Sequence, residues 1–480
     1  MNPPGKRRSA ESFLWDHPVV MMEALAERLA RYVHAFSPED LSEAVLHEAK
    51  RRLIDTLGCA VGARGTLPGQ IARTLAASGP ARKGATLWGT VRKCAPDLAA
   101  FANGTDVRYL DFNDTYLSKE PAHPSDNIPA AMAVAEAEGV GGRRLLGAIV
   151  LGYEIQCRLC DAASLRIRGW DHVTYGPIST ALLAGWLMGL GVEGLIHAVS
   201  LGAVSNNALR QTRVGELSDW KACAFANAAR NGIFAASLAR LGMTGPSAIF
   251  EGEKGFFNAV SGAFSLSLTE RARRMPFKIL ESYIKYYPVE YHAQSAVAAA
   301  LAIYPKLSKE GRASRVVEAI RIKTPMVSYE IIGRDPEKWS PKTRETADHS
   351  LPYCVAVALE DGDVGLAQFE PSHLRSGRIR RLLEKTEVKE GPDLSALYPN
   401  SISNEIEVVT RSGRWTERVD FPRGHPKNPM SDREVEDKFR RLCTGKLTER
   451  RMDRIMESLW GIEKAGDLGK VTALLSERGS

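Results

Sequence analysis

The sequence predicts a mainly α-helical protein of two domains, on three observations. Apolar residues recur at three- and four-residue spacing from residue 21 to about 270. Several of these segments are apolar nearly all round and rich in alanine and glycine, as helices inside a large bundle must be. After about residue 276 the pattern changes to alternating strands and helices, the mark of a smaller α+β unit. A length of 480 residues also exceeds what one ordinary core organises.

The elements follow in order. Ser37-Pro38-Glu39-Asp40 offers a serine N-cap, a proline at the first helical position and acids in the first turn, so a helix is predicted over Leu41 to Leu57. Further helices read from Asn127 to Glu138, Arg144 to Asp161, Ile178 to Leu190, Glu193 to Leu209 and Ala222 to Leu241, with a short strand over Ala85 to Gly89. In the second unit Arg315 to Lys323 alternates as a strand, Leu351 to Glu360 reads as a helix, and Asn404 to Asp420 forms a hairpin turning at Ser412-Gly413. Phe421 to Pro429 is a proline-broken linker. Helices over Asp432 to Leu442 and Glu449 to Trp460 follow and are expected to rejoin the first domain.

Composition narrows the function classes. A hydrophobic fraction of 44% and a charged fraction of 25% are those of a globular protein. The longest mostly apolar stretch, Pro177 to Val192, falls short of the roughly 18 to 20 residues that span a bilayer, so no membrane association is expected. Lys6-Arg7-Arg8 is followed by Glu11, Trp15, Asp16 and His17, not by an apolar run, so the expected compartment is the cytoplasm. Seven scattered cysteines fit a reducing compartment. The net charge of +7 comes without any nucleic-acid motif, and no nucleic-acid partner is expected.

Four stretches carry titratable groups at helix starts. Asp111 to Asn127 packs Asp111, Asp114, Thr115, Lys119, Glu120, His123, Ser125 and Asp126 into seventeen residues. It reads either as a polar loop whose Ser125 or Asp126 caps the next helix, or as a source of acid-base groups beside a helix N-terminus that favours a carboxylate. Asp171-His172 stands before the apolar helix at Ile178. Arg210, Gln211, Arg213 and Lys221 cluster at the head of another, where snorkelling is the plain alternative. Lys285, Glu290, His292 and Gln294 sit at the composition break, and domain junctions favour ligand pockets. Tyr329, after the first strand of the second unit, can deliver a phenol to the same cleft.

Metal and nucleotide chemistry find little support. Cys157 and Cys160 have C-x-x-C spacing and with Cys59 or Cys94 could imitate a three-cysteine iron-sulfur site, but they lie in a continuous helical pattern without a glycine-rich loop. There is no H-E-x-x-H, zinc ribbon, P-loop or G-x-S-x-G elbow. No cofactor and no metal are expected.

The stretch Asp111-Phe112-Asn113-Asp114-Thr115-Tyr116-Leu117 with Glu120 to Asn127, together with Lys285 to Gln294, closely resembles the MmgE/PrpD family, and within it the branch that dehydrates 2-methylcitrate. The resemblance covers nearly the whole chain. It implies a large helical domain built from residues 15–276 and the C-terminal helices 425–475, with an inserted α+β lid at 277–424, and a homodimer. It implies a metal-free lyase acting on a small tricarboxylate, and carries over Asp111, His123, His172 and Lys221 as catalytic residues and Thr115, Lys285, His292 and Tyr329 as substrate-binding ones. Lys119-Glu120 between the threonine and the histidine looks like the dehydratase branch.

Removing water from such an acid needs a base for the C–H, an acid for the hydroxyl and cations for a carboxylate becoming enolate-like. His123 and His172 are expected to share the proton transfers, with Asp111 orienting one imidazole or acting as base. Other reactions of the family remain open: dehydration of citrate, hydration of cis-aconitate, or its decarboxylation. A non-catalytic organic-acid binder is the rival from another class, against which so many titratable groups argue.

Overall fold

The computed structural model describes residues 23–268 and 276–476, so the expected start of the helical domain at residue 15 lies outside it. It is mainly α-helical. The first run is α1 (Leu25–His34), α2 (Glu43–Gly62), α3 (Leu67–Ala77), a short antiparallel pair β1 (Pro80–Thr86) and β2 (Lys93–Cys94), α4 (Pro96–Tyr109), α5 (Ile128–Glu138), α6 (Gly142–Ala162), α7 (Gly176–Leu187), α8 (Val192–Ser205) and α9 (Trp220–Arg240). The second holds α10 (Gln294–Leu307), β3 (Val317–Thr324), α11 (Leu351–Asp361), α12 (Gly377–Leu383), β4 (Thr386–Glu390), β5 (Asn404–Thr410) and β6 (Arg414–Val419). The chain closes with α13 (Asp432–Cys443), α14 (Glu449–Trp460) and α15 (Leu468–Ala473).

Two large apolar cores result among the described residues, with two small clusters beside them. The larger joins α1 to α9 with α13 to α15. All twelve residues of α7 are buried, which explains why its sequence shows no polar face. No helix among the described residues is long and apolar enough to cross a membrane. The second core lies on a four-stranded sheet of order β4-β3-β5-β6, with β3–β4 parallel and the rest antiparallel. β5 alternates buried and half-buried positions, and its Ile406 and Val408 face Ile322 and Ile320 of β3, so one face of the sheet meets α10 and α11.

Two expectations shift. Ser37 caps only a single 3₁₀ turn, Pro38–Asp40; buried Leu41 is extended, and α2 begins behind a second cap, the Ser42 hydroxyl accepting from the Val45 amide at 3.4 Å. The strand expected at Ala85 to Gly89 runs earlier, over Pro80–Thr86, because its pairing partner is Lys93–Cys94.

The C-terminal helices return to the first core by way of the linker. At Gly424, with φ of +95°, a Cβ would stand 1.8 Å from the Ile284 carbonyl oxygen, so only glycine lets the linker cross there. Beyond it, α13 sends Lys438 inward. The ammonium donates to the carbonyls of Phe112 (2.7 Å) and Lys285 (2.8 Å), pairs with Asp55 of α2 (2.6 Å) and stacks over the Phe112 ring. One buried cation thus ties α2, α13 and two loop segments together.

Lys438→Met should cost roughly 3 to 5 kcal/mol, because it strands the Asp55 carboxylate and two carbonyls. Urea unfolding would measure it. Adding Asp55→Leu should recover part of the loss, since the unpaired charge goes with it.

Candidate active site

The loop between α4 and α5 is built inward. Asp111 has φ of +50°, a backbone that aspartate tolerates better than most residues, and the twist aims both its carbonyl and its carboxylate at Lys285, whose ammonium they hold at 2.8 and 3.0 Å. Arg108, in the last turn of α4, pairs with the other carboxylate oxygen. Burial alone would raise this carboxyl, but Arg108, Lys285, Lys221 and His349 overcome it and hold it well below the usual carboxylate range.

Neither Ser125 nor Asp126 caps the next helix by its side chain; both are buried and used inside the loop. The Ser125 amide donates to Asp114 (2.9 Å), and Asn113 donates to Asp126 (2.7 Å) and to the Ser125 hydroxyl (2.9 Å). Burial pushes the Asp126 carboxyl up to about 7. Glu120 is structural: it accepts from the Ser164 hydroxyl and from the amides of Leu165 and Arg166, ordering the turn after α6. Thr115 pairs by its backbone with Tyr283, which brings the loop beside the Lys285 segment.

Partners fix the tautomer of each histidine. His123 Nδ1 lies 2.7 Å from the Asp114 carbonyl, which only accepts, and 3.1 Å from the Thr115 hydroxyl; its Nε2 lies 2.8 Å from Arg108, which only donates. Both ring nitrogens are therefore occupied. Burial and then Arg108 and Lys285 drive its pKa well below the ordinary value. His172, its ring centroid 5.8 Å away, differs. Its Nδ1 donates to Asp171 (2.8 Å), whose far oxygen takes Arg213 (2.9 Å), and its Nε2 is buried with no partner among the described residues. Burial outweighs Asp171 and lowers the pKa, so His172 stands neutral with a lone pair free. Arg213 thereby acts through Asp171, while Lys221, at the head of α9, is buried and does not snorkel.

Lys221 meets two residues that no motif in the sequence marks. Its ammonium lies 3.0 Å from Asp348 and 3.2 Å from His349, both in the turn leading into α11 of the second core. His349 Nδ1 also approaches Asp348 at 2.5 Å and Asp111 at 4.0 Å, so the two cores meet on one charged cluster. His292 is adjacent: its Nδ1 pairs with Glu290 (2.8 Å), and the Glu290 amide donates to the Asp348 carbonyl (2.8 Å). Against the effect of burial, His292 and then His349 and Lys285 hold Glu290 down at about 2. Gln294 serves the backbone of Tyr287 and Val289. Tyr329 packs on the second core.

Asp111, Asp348 and His349 place possible ligand atoms within 4.8 Å of one another. A divalent cation there would meet the ammonium groups of Lys285 and Lys221, which already occupy those carboxylates. Cys157 and Cys160 lie inside α6, where burial raises both thiols and disfavours the thiolates that a cluster needs. All seven cysteines are free and buried.

The MmgE/PrpD N-terminal domain model matches residues 27–269, and the MmgE/PrpD C-terminal domain model matches residues 287–462. The chain is 28% identical to the 2-methylcitrate dehydratase of Escherichia coli K12 over 84% of this chain and 87% of that one. It is 28% identical to the probable 2-methylcitrate dehydratase of Saccharomyces cerevisiae (83% and 81%) and to human cis-aconitate decarboxylase (95% of both).

Burial and then Lys221 outweigh Asp348 and Asp111 and lower His349 to about 4. In the unfolded chain it titrates near 6.5, so acid favours unfolding: its contribution is intact above about 6.5 and about 3 kcal/mol is lost as pH falls through about 4. Urea midpoints should fall over that window, and fall less in His349→Gln.

Proposed function

The chain belongs to the MmgE/PrpD family, and from that premise we propose that it is a lyase that eliminates water from 2-methylcitrate to give 2-methyl-aconitate. The observation that carries the reading is the lone pair at His172 Nε2, whose ring stands 5.8 Å from His123, itself tied through Arg108 and Asp111 to Lys285, while Arg213 joins Asp171 to the Lys221 carbonyl. A neutral imidazole oriented by Asp171 is a base for the C–H. Lys221 and Lys285 are the cations for the substrate carboxylates, including the one that gains enolate character as the proton leaves. Arg108 and Asp111 hold Lys285 and His123 in place, and Thr115 keeps His123 company at Nδ1.

His123 then has a narrower part than an even share of the proton transfers. With Nε2 accepting from Arg108, it becomes a base only if that guanidinium turns to a substrate carboxylate. His292 and Tyr329 are read as groups that a closing second core brings against the substrate, excluding water as they do. Chemistry runs on the protein's own groups, without a metal or cofactor. Decarboxylation of cis-aconitate is the second reading, favoured by the match to human cis-aconitate decarboxylase along 95% of both chains. A single apolar pocket separates citrate from 2-methylcitrate by only about 1 to 3 kcal/mol, so activity on both is expected.

We also read the chain as a homodimer. Leu67, Ile71 and Leu75 stand exposed along one side of α3, as do Phe234 and Leu241 at α9, an apolar surface that a second copy would cover. Light scattering should give twice the 52.5 kDa chain mass, and Ile71→Glu should shift it toward one copy.

Chelator-treated protein given 2-methylcitrate should show ultraviolet absorbance from the new conjugated double bond, with product identified by mass. His172→Ala should lose about 10² to 10⁴-fold in kcat. Carbon dioxide release from cis-aconitate, with no water loss from either tricarboxylate, would favour the second reading.

A further inference from the structure

Two aspartate–histidine pairs of the same construction enter this cluster, one from each core. Asp171-His172 precedes α7 and Asp348-His349 precedes α11. In each the histidine Nδ1 meets the carboxylate of its own neighbour, at 2.8 and 2.5 Å, and a cation from elsewhere anchors that carboxylate, Arg213 at 2.9 Å and Lys221 at 3.0 Å. A carboxylate only accepts, so His172 Nδ1 carries the hydrogen; His349 Nδ1 also has the Lys221 ammonium at 3.2 Å, but the Asp348 contact at 2.5 Å is the shorter and puts the hydrogen on Nδ1, which leaves Nε2 as the working nitrogen in each. In exposure they differ. The His172 side chain is 7% exposed with its Nε2 buried, and the His349 side chain is 12% exposed in a group where Lys221 is 2% and Asp111, Asp348 and Lys285 are 0% exposed.

We propose that His349, oriented by Asp348, is a second acid-base group of the reaction and gives the departing hydroxyl its proton through Nε2. This rests on the elimination proposed above. In that step His172 takes the proton from carbon, the C–H electron pair becomes the new double bond, the C–O bond breaks toward oxygen, and protonated His349 converts the hydroxyl to water. His349 ends neutral and His172 protonated; proton exchange with solvent resets both.

The position of His349 suits the acid. The elimination written here uses a base and a separate acid; His123 has both nitrogens engaged, and His292, paired with Glu290, is 1% exposed against 12% for His349. Four charged groups bear on the ring: Lys221 from α9 opposes its protonation, and Asp111 from the loop after α4, Asp348 beside it and Glu290 from the segment before α10 favour it. Burial is the larger influence against protonation and Lys221 the second; a substrate carboxylate bound to Lys221 offsets that second one and so favours loading of the acid.

The test compares wild type, His349→Ala and His349→Gln on 2-methylcitrate across pH, with and without imidazole. The expected result is a loss of about 10² to 10³-fold in kcat with KM within about threefold of wild type. The alkaline limb of the kcat profile should flatten, and imidazole should restore His349→Ala at least about tenfold. Urea midpoints show that both variants are folded; if His349→Ala is not, His349→Gln decides by kcat and pH profile. A kcat within about threefold of wild type, a loss confined to KM, or an unchanged alkaline limb in a folded variant overturns the proposal. If wild type turns over and His172→Ala does not while the His349 variants are unaffected, only this proposal falls. If wild type acts on none of 2-methylcitrate, citrate and cis-aconitate, the elimination itself falls and this step with it.

Discussion

Buried positive charge is the constraint on which the rest of the molecule depends. Arg52, Arg108, Lys285 and Lys438 all sit inside the protein, and each reaches the Asp111–Asn127 loop or the segment beside it. An unpaired buried cation is costly, so each one dictates where carbonyls and carboxylates must go. The left-handed turn at Asp111, the linker passing over Ile284 and the return of α13 are the backbone's answers. Hydrophobic burial makes the two cores; the cations choose how they meet.

The same economy shapes the chemistry. Lys221 and Lys285 are the groups read as substrate anchors, yet each is already paired, one with Asp348 and one with Asp111. Their charges are therefore kept in place without substrate, at the cost of an exchange of partners when a carboxylate arrives. Preorganised groups of this kind need little rearrangement during reaction.

Much of this was legible in the sequence, for identifiable reasons. The bundle helices announce themselves because α7 and its neighbours are apolar on every side, and the β5–β6 hairpin because its burial alternates. The polar run from Asp111 to Asn127 stood out by density alone. Asp348 and His349 did not, although their sequence carries the same signal as Asp171-His172, an acid and a histidine directly before an apolar helix. A sequence shows that signal equally at a structural cap; only the arrival of Lys221 from 127 residues away separates the two. The partner-set tautomers of His123 and His172 are likewise tertiary facts. Tyr329, carried over from the resemblance, packs its ring on the second core.

Seven free, buried cysteines turn the protein into its own clock. A thiol reagent cannot react until the surrounding helix opens, so labelling rate measures opening. Cys354 lies in α11 of the second core, while Cys59, Cys157, Cys160 and Cys443 lie in α2, α6 and α13 of the first. Mass spectrometry of the labelled peptides would therefore time the two cores separately, with no probe engineered into either.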